Sequence, residues 1–204
     1  AALEILEEAE AAVGDSLQLR LAKAGLATKM RRSKARDVLE ELQRGTEEFS
    51  ENQRVALWQA IGAAYYKLRS RRSAQKMWQR VAEARPEDIG VALTLFELAR
   101  ELGDEAGLTR ATDAVERIVG RRSAEWNYCE ASRLAWMSHN RDVGDAALVS
   151  AKQHLKVAEQ TRPNWKVIPR LRAEVAILEG RPDEAIDHFQ EAVSLGRLSP
   201  NYLS

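Results

Sequence analysis

Acidic and imidazole side chains recur at helical spacing near the C-terminal end of the sequence. Glu184, Asp187, His188 and Glu191 stand three or four residues apart, so on a helix they would share one face. Carboxylate and imidazole groups can bind zinc, but a zinc site here would need ligands from a neighbouring helix, and the sequence offers none at a suitable spacing. We interpret the group as ordinary pairing on a helix surface and predict no metal site.

The other reactive residue types are isolated. Cys129 is the single cysteine, and it stands among Trp126, Tyr128 and Leu134, which predicts a buried thiol rather than a nucleophile. The sequence contains no glycine-rich phosphate loop, no strand-then-helix nucleotide motif and no nucleophile elbow. We therefore predict no catalytic residue and no cofactor, and a chain that is not itself an enzyme.

Basic side chains are concentrated in two turns of the N-terminal half. If successive helical hairpins stack, these turns align on one edge, which is a candidate site for an anion or a nucleic acid. The next equivalent turn, Gly103-Asp104-Glu105, interrupts the stripe, and cations at a helix end also stabilise its dipole. We favour a solvated edge for the residues concerned: Lys29, Arg31, Arg32 and Lys34 in the first turn, and Lys67, Arg69, Arg71 and Arg72 in the second.

The amino-acid composition indicates a helical protein and argues against binding of polyanions by overall charge. Lys plus Arg and Asp plus Glu number 31 each, so no global field attracts a polyanion. Few prolines and glycines interrupt a sequence rich in good helix formers, which favours helix almost everywhere. No apolar run approaches the length of a membrane span, and no secretory signal is visible at the start. The compartment stays open, with the cytoplasm as the default.

One pattern predicts the elements that must position any site. Within residues 55–88, W-x₂-I-G-x₂-Y begins at Trp58, A-x₃-W begins at Ala74, and Pro86 follows. This is the spacing of a helix–turn–helix repeat of about 34 residues. The chain here resembles tetratricopeptide-repeat proteins. The resemblance is specific in this segment, fair in 147–163 and 180–192, and only periodic elsewhere.

The same pattern predicts helices along the whole chain. Asp15 with Gln18, and Ser50 with Gln53, have the spacing of capping boxes that begin helices. Both ends of the sequence fall inside repeats, so we expect a slice of a longer array. The predicted helices cover 1–13, 16–28, 33–44, 52–68, 71–84, 88–102, 105–119, 122–138, 144–161, 165–179 and 182–195. We divide this single helical-repeat domain, 1–204, into units 1–14 (partial), 15–50, 51–87, 88–121, 122–163, 164–198 and 199–204 (partial).

The resemblance implies an all-α fold, a right-handed α-α superhelix (solenoid) of tetratricopeptide-like helix hairpins. The first helices of the hairpins would line a concave groove for a peptide or a partner protein. Packing explains the signature, because Gly62 permits close helix approach and Trp58 and Trp78 fill the space between units. We expect Tyr65 to reach the next helix.

The resemblance also implies which side chains face the groove. Tyr66 and Trp136 would be apolar anchors, and Arg20, Arg133 and Arg170 would be forks for carboxylates, which suits an amphipathic or acidic peptide. The alternative is that these side chains only solvate the groove or pack within it. One subset of the family binds a C-terminal carboxylate through Lys and Asn side chains. These residues are missing at the matching positions of this sequence, so we do not expect that activity. The predicted partner-binding residues are Arg20, Gln59, Tyr66, Leu93, Arg100, Arg133, Trp136 and Arg170.

The function predicted from the sequence is a non-catalytic protein–protein interaction scaffold. One alternative is a helical-repeat module that binds nucleic acid, against which the balanced charge and the lack of basic helix faces count. Another is a helical segment of a larger enzyme whose catalytic part lies outside this chain. The identity of the protein or peptide partner is not specified, and self-association stays open.

Overall fold

The computed structural model describes residues 2–141 and 145–198, which form eleven α-helices and no β-strand. The chain divides into two compact units, Ala1–Gly103 and Asp104–Ser204. The helices are α1 Ala2–Val13, α2 Leu17–Ala27, α3 Arg32–Glu41, α4 Glu51–Lys67, α5 Arg71–Ala84, α6 Ile89–Leu102, α7 Glu105–Val119, α8 Ala124–Arg141, α9 Asp145–Thr161, α10 Val167–Leu178 and α11 Pro182–Leu198.

Most helix bounds lie within two residues of the prediction, and the ends of α3, α8 and α11 differ from it by three residues. Helix α3 ends at Glu41 instead of residue 44, and the carbonyls of Leu42 and Arg44 accept hydrogen bonds from the guanidinium of Arg20. Helix α8 continues to Arg141, through a segment that we predicted to be a long turn. The rest of that predicted turn, 142–144, lies outside the described residues, as do 199–204.

The two predicted capping boxes have opposite outcomes. The box at the start of α4 is confirmed: Gln53 N donates to Ser50 Oγ at 3.4 Å, and Ser50 N donates to Gln53 Oε1 at 2.9 Å. The box that begins at Asp15 is wrong. Ser16 caps α2 instead, through a 3.4 Å bond from Leu19 N, because the Asp15 carboxylate is engaged by a guanidinium.

The first unit is built around the hairpin of α4 and α5. Helix α2 packs against α4, and α6 packs against α5, while α1 and α3 pack against α2. The core of this unit includes four large side chains that are almost fully buried, and each is deep enough to contribute roughly 1.5–3 kcal/mol to folding. They are Leu39, Leu57, Ile61 and Leu98.

The tryptophans fill space as the signature predicts, but Tyr65 makes an unexpected contact. Trp58 and Trp78 pack against the cluster of Val55, Val81 and Val91. The hydroxyl of Tyr65 accepts a 3.4 Å hydrogen bond from Gln43, which follows α3. Its polar contact is therefore with the preceding hairpin, whereas we expected one with the next helix.

The second unit contains two hairpins, α8 with α9 and α10 with α11. Helix α7 packs against α8, and α10 packs against both α8 and α9. Small side chains at the contacts allow the helices to approach closely, since Ala131, Ala151, Ala158 and Ala173 are fully buried. The predicted pairing of α6 with α7 involves both units and stays a prediction, as does the division into a single repeat domain.

A helix that crosses a bilayer must be both long and apolar. None of the helices within residues 2–141 and 145–198 meets both requirements.

Candidate partner-binding surface

Arg20 is committed to the interior of the first unit. It is 9% exposed, and its Nη1 donates to the carbonyls of Leu42 at 2.9 Å and Arg44 at 2.6 Å. Its Nη2 donates to the carbonyl of Gly45 at 3.3 Å and to Asp15 at 2.5 Å. Because these donors already have acceptors, Arg20 holds the end of α3 in place, and we leave it out of the surface proposed below.

The contact with Arg20 also changes the pKa of Asp15. The hydrogen bonds from the Arg20 guanidinium lower the pKa of the Asp15 carboxyl, and partial burial opposes this effect. The paired charges join the segment before α2 to the turn after α3.

Tyr66 is an exposed aromatic ring that is held by residues of two other helices. The side chain is 41% exposed, and its hydroxyl donates to Glu101 Oε1 of α6 at 2.6 Å. The guanidinium of Arg71, at the start of α5, lies 3.8 Å from the ring centroid, and Arg71 also forms an ion pair with Glu101. Burial, followed by the hydrogen bond to Glu101, raises the pKa of Tyr66.

The patch around Tyr66 extends along α6. Arg100 donates from Nη2 to Glu97 Oε2 at 2.9 Å, and the charge of Glu97 contributes to the raised pKa of Tyr66. Two of the predicted residues, Tyr66 and Arg100, therefore both bind glutamates of α6, Tyr66 through Glu101 and Arg100 through Glu97. Gln59 on α4 and Leu93 on α6 are half-buried.

In the second unit, Arg133 is surrounded by acidic groups. Its Nη2 and Nε donate to Glu130 at 2.6 and 2.9 Å, and its Nη1 lies 3.0 Å from Met137 Sδ. The hydrogen bonds to Glu130 raise the pKa of Arg133, and Asp113 and Glu105 on α7 add to the rise. Arg133 is therefore locally neutralised.

Trp136 and Arg170 complete the predicted set. Trp136 is half-buried one turn after Arg133 on α8. Arg170, on the neighbouring α10, has its Nε 3.3 Å from Glu174 Oε1. The other three predicted arginines each share a helix face with a glutamate three or four residues away: Arg100, Arg133 and Arg170.

Sequence reasoning missed two features of these surfaces. Arg71 was predicted only as part of a basic edge, and nothing in the sequence indicated that it stacks on Tyr66. On α11, Ile186, Phe189 and Val193 form an apolar strip with exposures of 54%, 40% and 56%. The spacing of three and four residues is the signal in the sequence that could have indicated this strip.

The acidic and imidazole group on α11 has the geometry of surface pairing. His188 Nε2 lies 3.9 Å from Glu184, and His188 Nδ1 lies 3.7 Å from Glu191. Across the described part of the chain, no three His, Cys, Asp or Glu side chains are arranged to hold a metal ion. Cys129 is fully buried.

Comparison with known proteins gives a structural likeness. No protein-family model matches the chain, and no curated protein matches it. A solved structure of MamA, residues 41 to the end, from Desulfovibrio magneticus RS-1 is similar with a TM-score of 0.54 and 15% identity, over 92% of this chain and 99% of that one. A MamA RS-1 ArsTM double mutant has a TM-score of 0.53 and 15% identity, over 90% and 96%.

At this identity the likeness shows the fold alone. MamA is tetratricopeptide-like, and the likeness extends over most of both chains. The chain accordingly has the predicted fold class: all-α, of the α-α superhelix type, built from tetratricopeptide-like helix hairpins.

Proposed function

We propose that this chain is a non-catalytic protein–protein interaction scaffold, which binds a peptide or a partner protein along the first helices of its hairpins. The observation that carries the proposal is the state of Tyr66. A large aromatic ring is 41% exposed, yet a hydrogen bond to Glu101 and the guanidinium of Arg71 hold it in one orientation.

Such a ring has the properties of an interface anchor. Tyrosine is enriched among the residues that dominate binding energy, because its ring buries a large area at a small entropic cost. Tyr66 is already ordered by Arg71 and Glu101, so little further side-chain entropy is lost when a partner covers it. Trp136 on α8 is a second large aromatic side chain, half-buried, in the other unit.

The ion pairs define the chemistry of the partner more closely. A purely acidic peptide would have to displace Glu97, Glu130 and Glu174 from their arginines, which offsets most of the gain. A peptide that carries both charges and presents an apolar side chain to Tyr66 or Trp136 has no such cost. We therefore favour an amphipathic segment of mixed charge over an acidic one.

A displayed library of random peptides tests the proposal. Peptides selected on the whole chain should lose about tenfold or more in affinity with Tyr66→Ala or Trp136→Ala. The matched controls Val149→Ala and Val119→Ala remove apolar groups of 50% and 39% exposure on helices outside this surface, and they should leave affinity unchanged.

Two outcomes count against the proposal. One is that no peptide is selected above background. The other is that the selected peptides respond to the two control substitutions as strongly as to Tyr66→Ala and Trp136→Ala.

A further inference from the structure

A small cleft in the first unit lies where the two predicted basic turns meet. Its volume is about 90 Å³. A single buried water needs only roughly 10–15 Å³, so the cleft has room for a group of several atoms. Half of its lining residues are arginines, and the lining consists of Arg32, Arg36, Tyr65, Leu68, Arg69 and Ser70.

The backbone brings these arginines together from different hairpins. Nη2 of Arg32, at the start of α3, donates to the carbonyl of Leu68 at 3.0 Å, which ties α3 to the end of α4. Arg69 has a φ of +59°, a left-handed conformation that residues with a side chain rarely adopt. Arg36 follows Arg32 by one helical turn, so both lie on the same face of α3.

These three arginines differ from the arginines of the proposed partner-binding surface along the first helices of the hairpins, which we call the first-helix surface. Among the described residues, no ion pair involves Arg32, Arg36 or Arg69, whereas Arg100 and Arg133 are paired with carboxylates. Three guanidinium groups around one cleft repel each other, and an anion placed between them relieves that repulsion.

Two further groups favour a negative charge at this place. Ser70 is the N-cap residue of α5, but its side chain does not accept a hydrogen bond from the first turn of that helix. The positive end of the α5 dipole therefore lies beside the cleft. Ser70 Oγ and the hydroxyl of Tyr65, which accepts from Gln43, add polar groups to the lining.

The negative charge of Glu40, which acts on Tyr65 in the lining, opposes an anion in the cleft. Burial raises the pKa of Tyr65 and the charge of Glu40 raises it further, while the Gln43 hydrogen bond and Arg36 lower it. Glu40 is exposed on α3, one turn after Arg36. Its single charge leaves the three guanidinium groups in excess.

We propose that this cleft binds a phosphate group through Arg32, Arg36 and Arg69. Guanidinium groups match phosphate oxygens in geometry and form strong charge-assisted hydrogen bonds with them. A phosphate ester carries close to two negative charges at neutral pH, against one for a carboxylate, and it offers three acceptor oxygens to three arginines. The group can be free phosphate or a phosphorylated side chain of a partner.

The proposal does not depend on the first-helix surface, because it uses neither Tyr66 nor Trp136. The two can therefore fail separately. A chain that binds peptides through Tyr66 but does not bind inorganic phosphate would contradict only the cleft, and a phosphate site without selected peptides would contradict only the scaffold.

Calorimetric titration of the whole chain tests the cleft, with inorganic phosphate as the probe and chloride at matched ionic strength as the reference. Arg36→Gln and Arg69→Gly should each weaken phosphate binding by about tenfold. Arg69→Gly is informative because glycine suits a positive φ, so the variant removes the guanidinium without disturbing the turn. Glu40→Gln should tighten binding.

The matched control is Arg72→Gln, which removes the same charge from an exposed residue of α5 that does not line the cleft. It should leave phosphate binding unchanged. A phosphoserine peptide distinguishes the source, with its unphosphorylated form as the reference that should not bind. Tighter binding of the phosphoserine peptide than of inorganic phosphate indicates a partner side chain. Equal binding of the phosphoserine peptide and inorganic phosphate indicates the free anion. Absence of phosphate binding, an equal loss with Arg72→Gln, or much tighter binding of single-stranded RNA would overturn the proposal.

Discussion

Gly62 of α4 and Trp78 of α5 are packed so closely that a Cβ atom on Gly62 would lie 2.9 Å from Nε1 of the indole. The same atom would lie 3.3 Å from Cβ of Met77, which cannot move without its backbone. The two helices of the central hairpin approach each other at this point because residue 62 has no side chain. The signature glycine is therefore a packing requirement.

The first prediction concerns this contact. Gly62→Leu should lower the free energy of unfolding by about 1–3 kcal/mol or more, since an added side chain forces the hairpin apart. Gly62→Ala should also be destabilising, despite the better helix propensity of alanine. Urea denaturation followed by circular dichroism measures both changes.

The control for this prediction is Gly25, which lies within α2 and has open space where a Cβ atom would stand, with no neighbouring atom within 4 Å. Gly25→Ala should stabilise the chain by up to about 1 kcal/mol, because only helix propensity changes. If Gly62→Ala stabilised the chain as much as Gly25→Ala, the close approach at Trp78 would not exist in solution.

A second prediction concerns Arg20. Arg20→Met should cost about 2–3 kcal/mol, because the carbonyls of Leu42, Arg44 and Gly45 lose charged donors. Arg20→Lys should not restore stability, since one ammonium group cannot reproduce the planar fork. Chemical denaturation gives the values, with Arg44→Ala as a control whose side chain is 75% exposed. Equal stability of the Arg20→Met variant and the parent chain would show that Arg20 is not a structural residue.

The third prediction is a pH dependence. The Arg20 hydrogen bonds lower the pKa of Asp15 in the folded chain below its unfolded value of about 3.9. The unfolded state then binds the proton more readily, so the pair stabilises the fold above that value and the stabilisation is lost as the pH falls through the folded pKa. The melting temperature of Asp15→Asn should be below that of the parent at neutral pH, and the gap should shrink on acidification.

Thermal melts across the acid range check this behaviour. In the Arg20→Met background the Asp15→Asn substitution should have little pH-dependent effect, because the guanidinium that lowers the pKa is gone. A gap between Asp15→Asn and the parent that stayed constant down to about pH 3 would contradict the pairing.

The fourth prediction concerns Asn127 in the second unit. This side chain is 3% exposed, its Nδ2 donates to the carbonyls of Arg121 at 2.9 Å and Ser123 at 2.8 Å, and its Oδ1 lies 2.9 Å from His154 Nδ1. Asn127→Ala should cost about 1–3 kcal/mol, since buried polar groups on both sides lose their partners. Asn140→Ala, which removes an exposed amide, should change stability by less than about 0.5 kcal/mol.

Denaturant unfolding of the two asparagine variants, followed by the fluorescence of the tryptophans, gives these values. The contact of Trp126 with His154, an edge-to-face arrangement with centroids 5.3 Å apart, makes Trp126 a reporter near the substituted residue. Equal stability of the Asn127→Ala and Asn140→Ala variants would show that Asn127 does not stabilise the fold.

Local periodicity predicted the fold well because each hairpin is specified by nearby residues. Trp58, Gly62 and Trp78 lie within one repeat, and their contacts follow from the spacing alone. Ser50 and Gln53 were predicted as a cap for the same reason, since the two partners are three residues apart. Interactions of this range do not depend on how the hairpins stack.

Competition between partners explains the incorrect capping prediction. Asp15 had both the type and the spacing of a helix cap, but Arg20 reached its carboxylate, and Ser16 capped the helix instead. The sequence shows which groups are within reach of each other. It does not show which of two available partners gives the lower free energy.

Contacts between hairpins were the least predictable. Arg32 and Arg69 belong to different helical hairpins, and only the packing of the α2–α3 hairpin against α4 brings them to one cleft with Arg36. Glu97 and Glu130 were readable as partners of Arg100 and Arg133 from their spacing of three residues. The prediction nevertheless treated Arg133 as a fork for a partner's carboxylate, because it did not consider pairing within the helix itself.

The central claim, that partners bind along the first helices, is tested most directly by site-specific photo-crosslinking. A photoreactive amino acid replaces Ala63, exposed on α4 beside the Tyr66 patch, or Lys76, exposed on α5 as a control. With a peptide selected from the random library, we predict crosslinking from residue 63 that is abolished by Tyr66→Ala, and none from residue 76. Crosslinking from residue 76 alone, or from both residues equally, would contradict the claim.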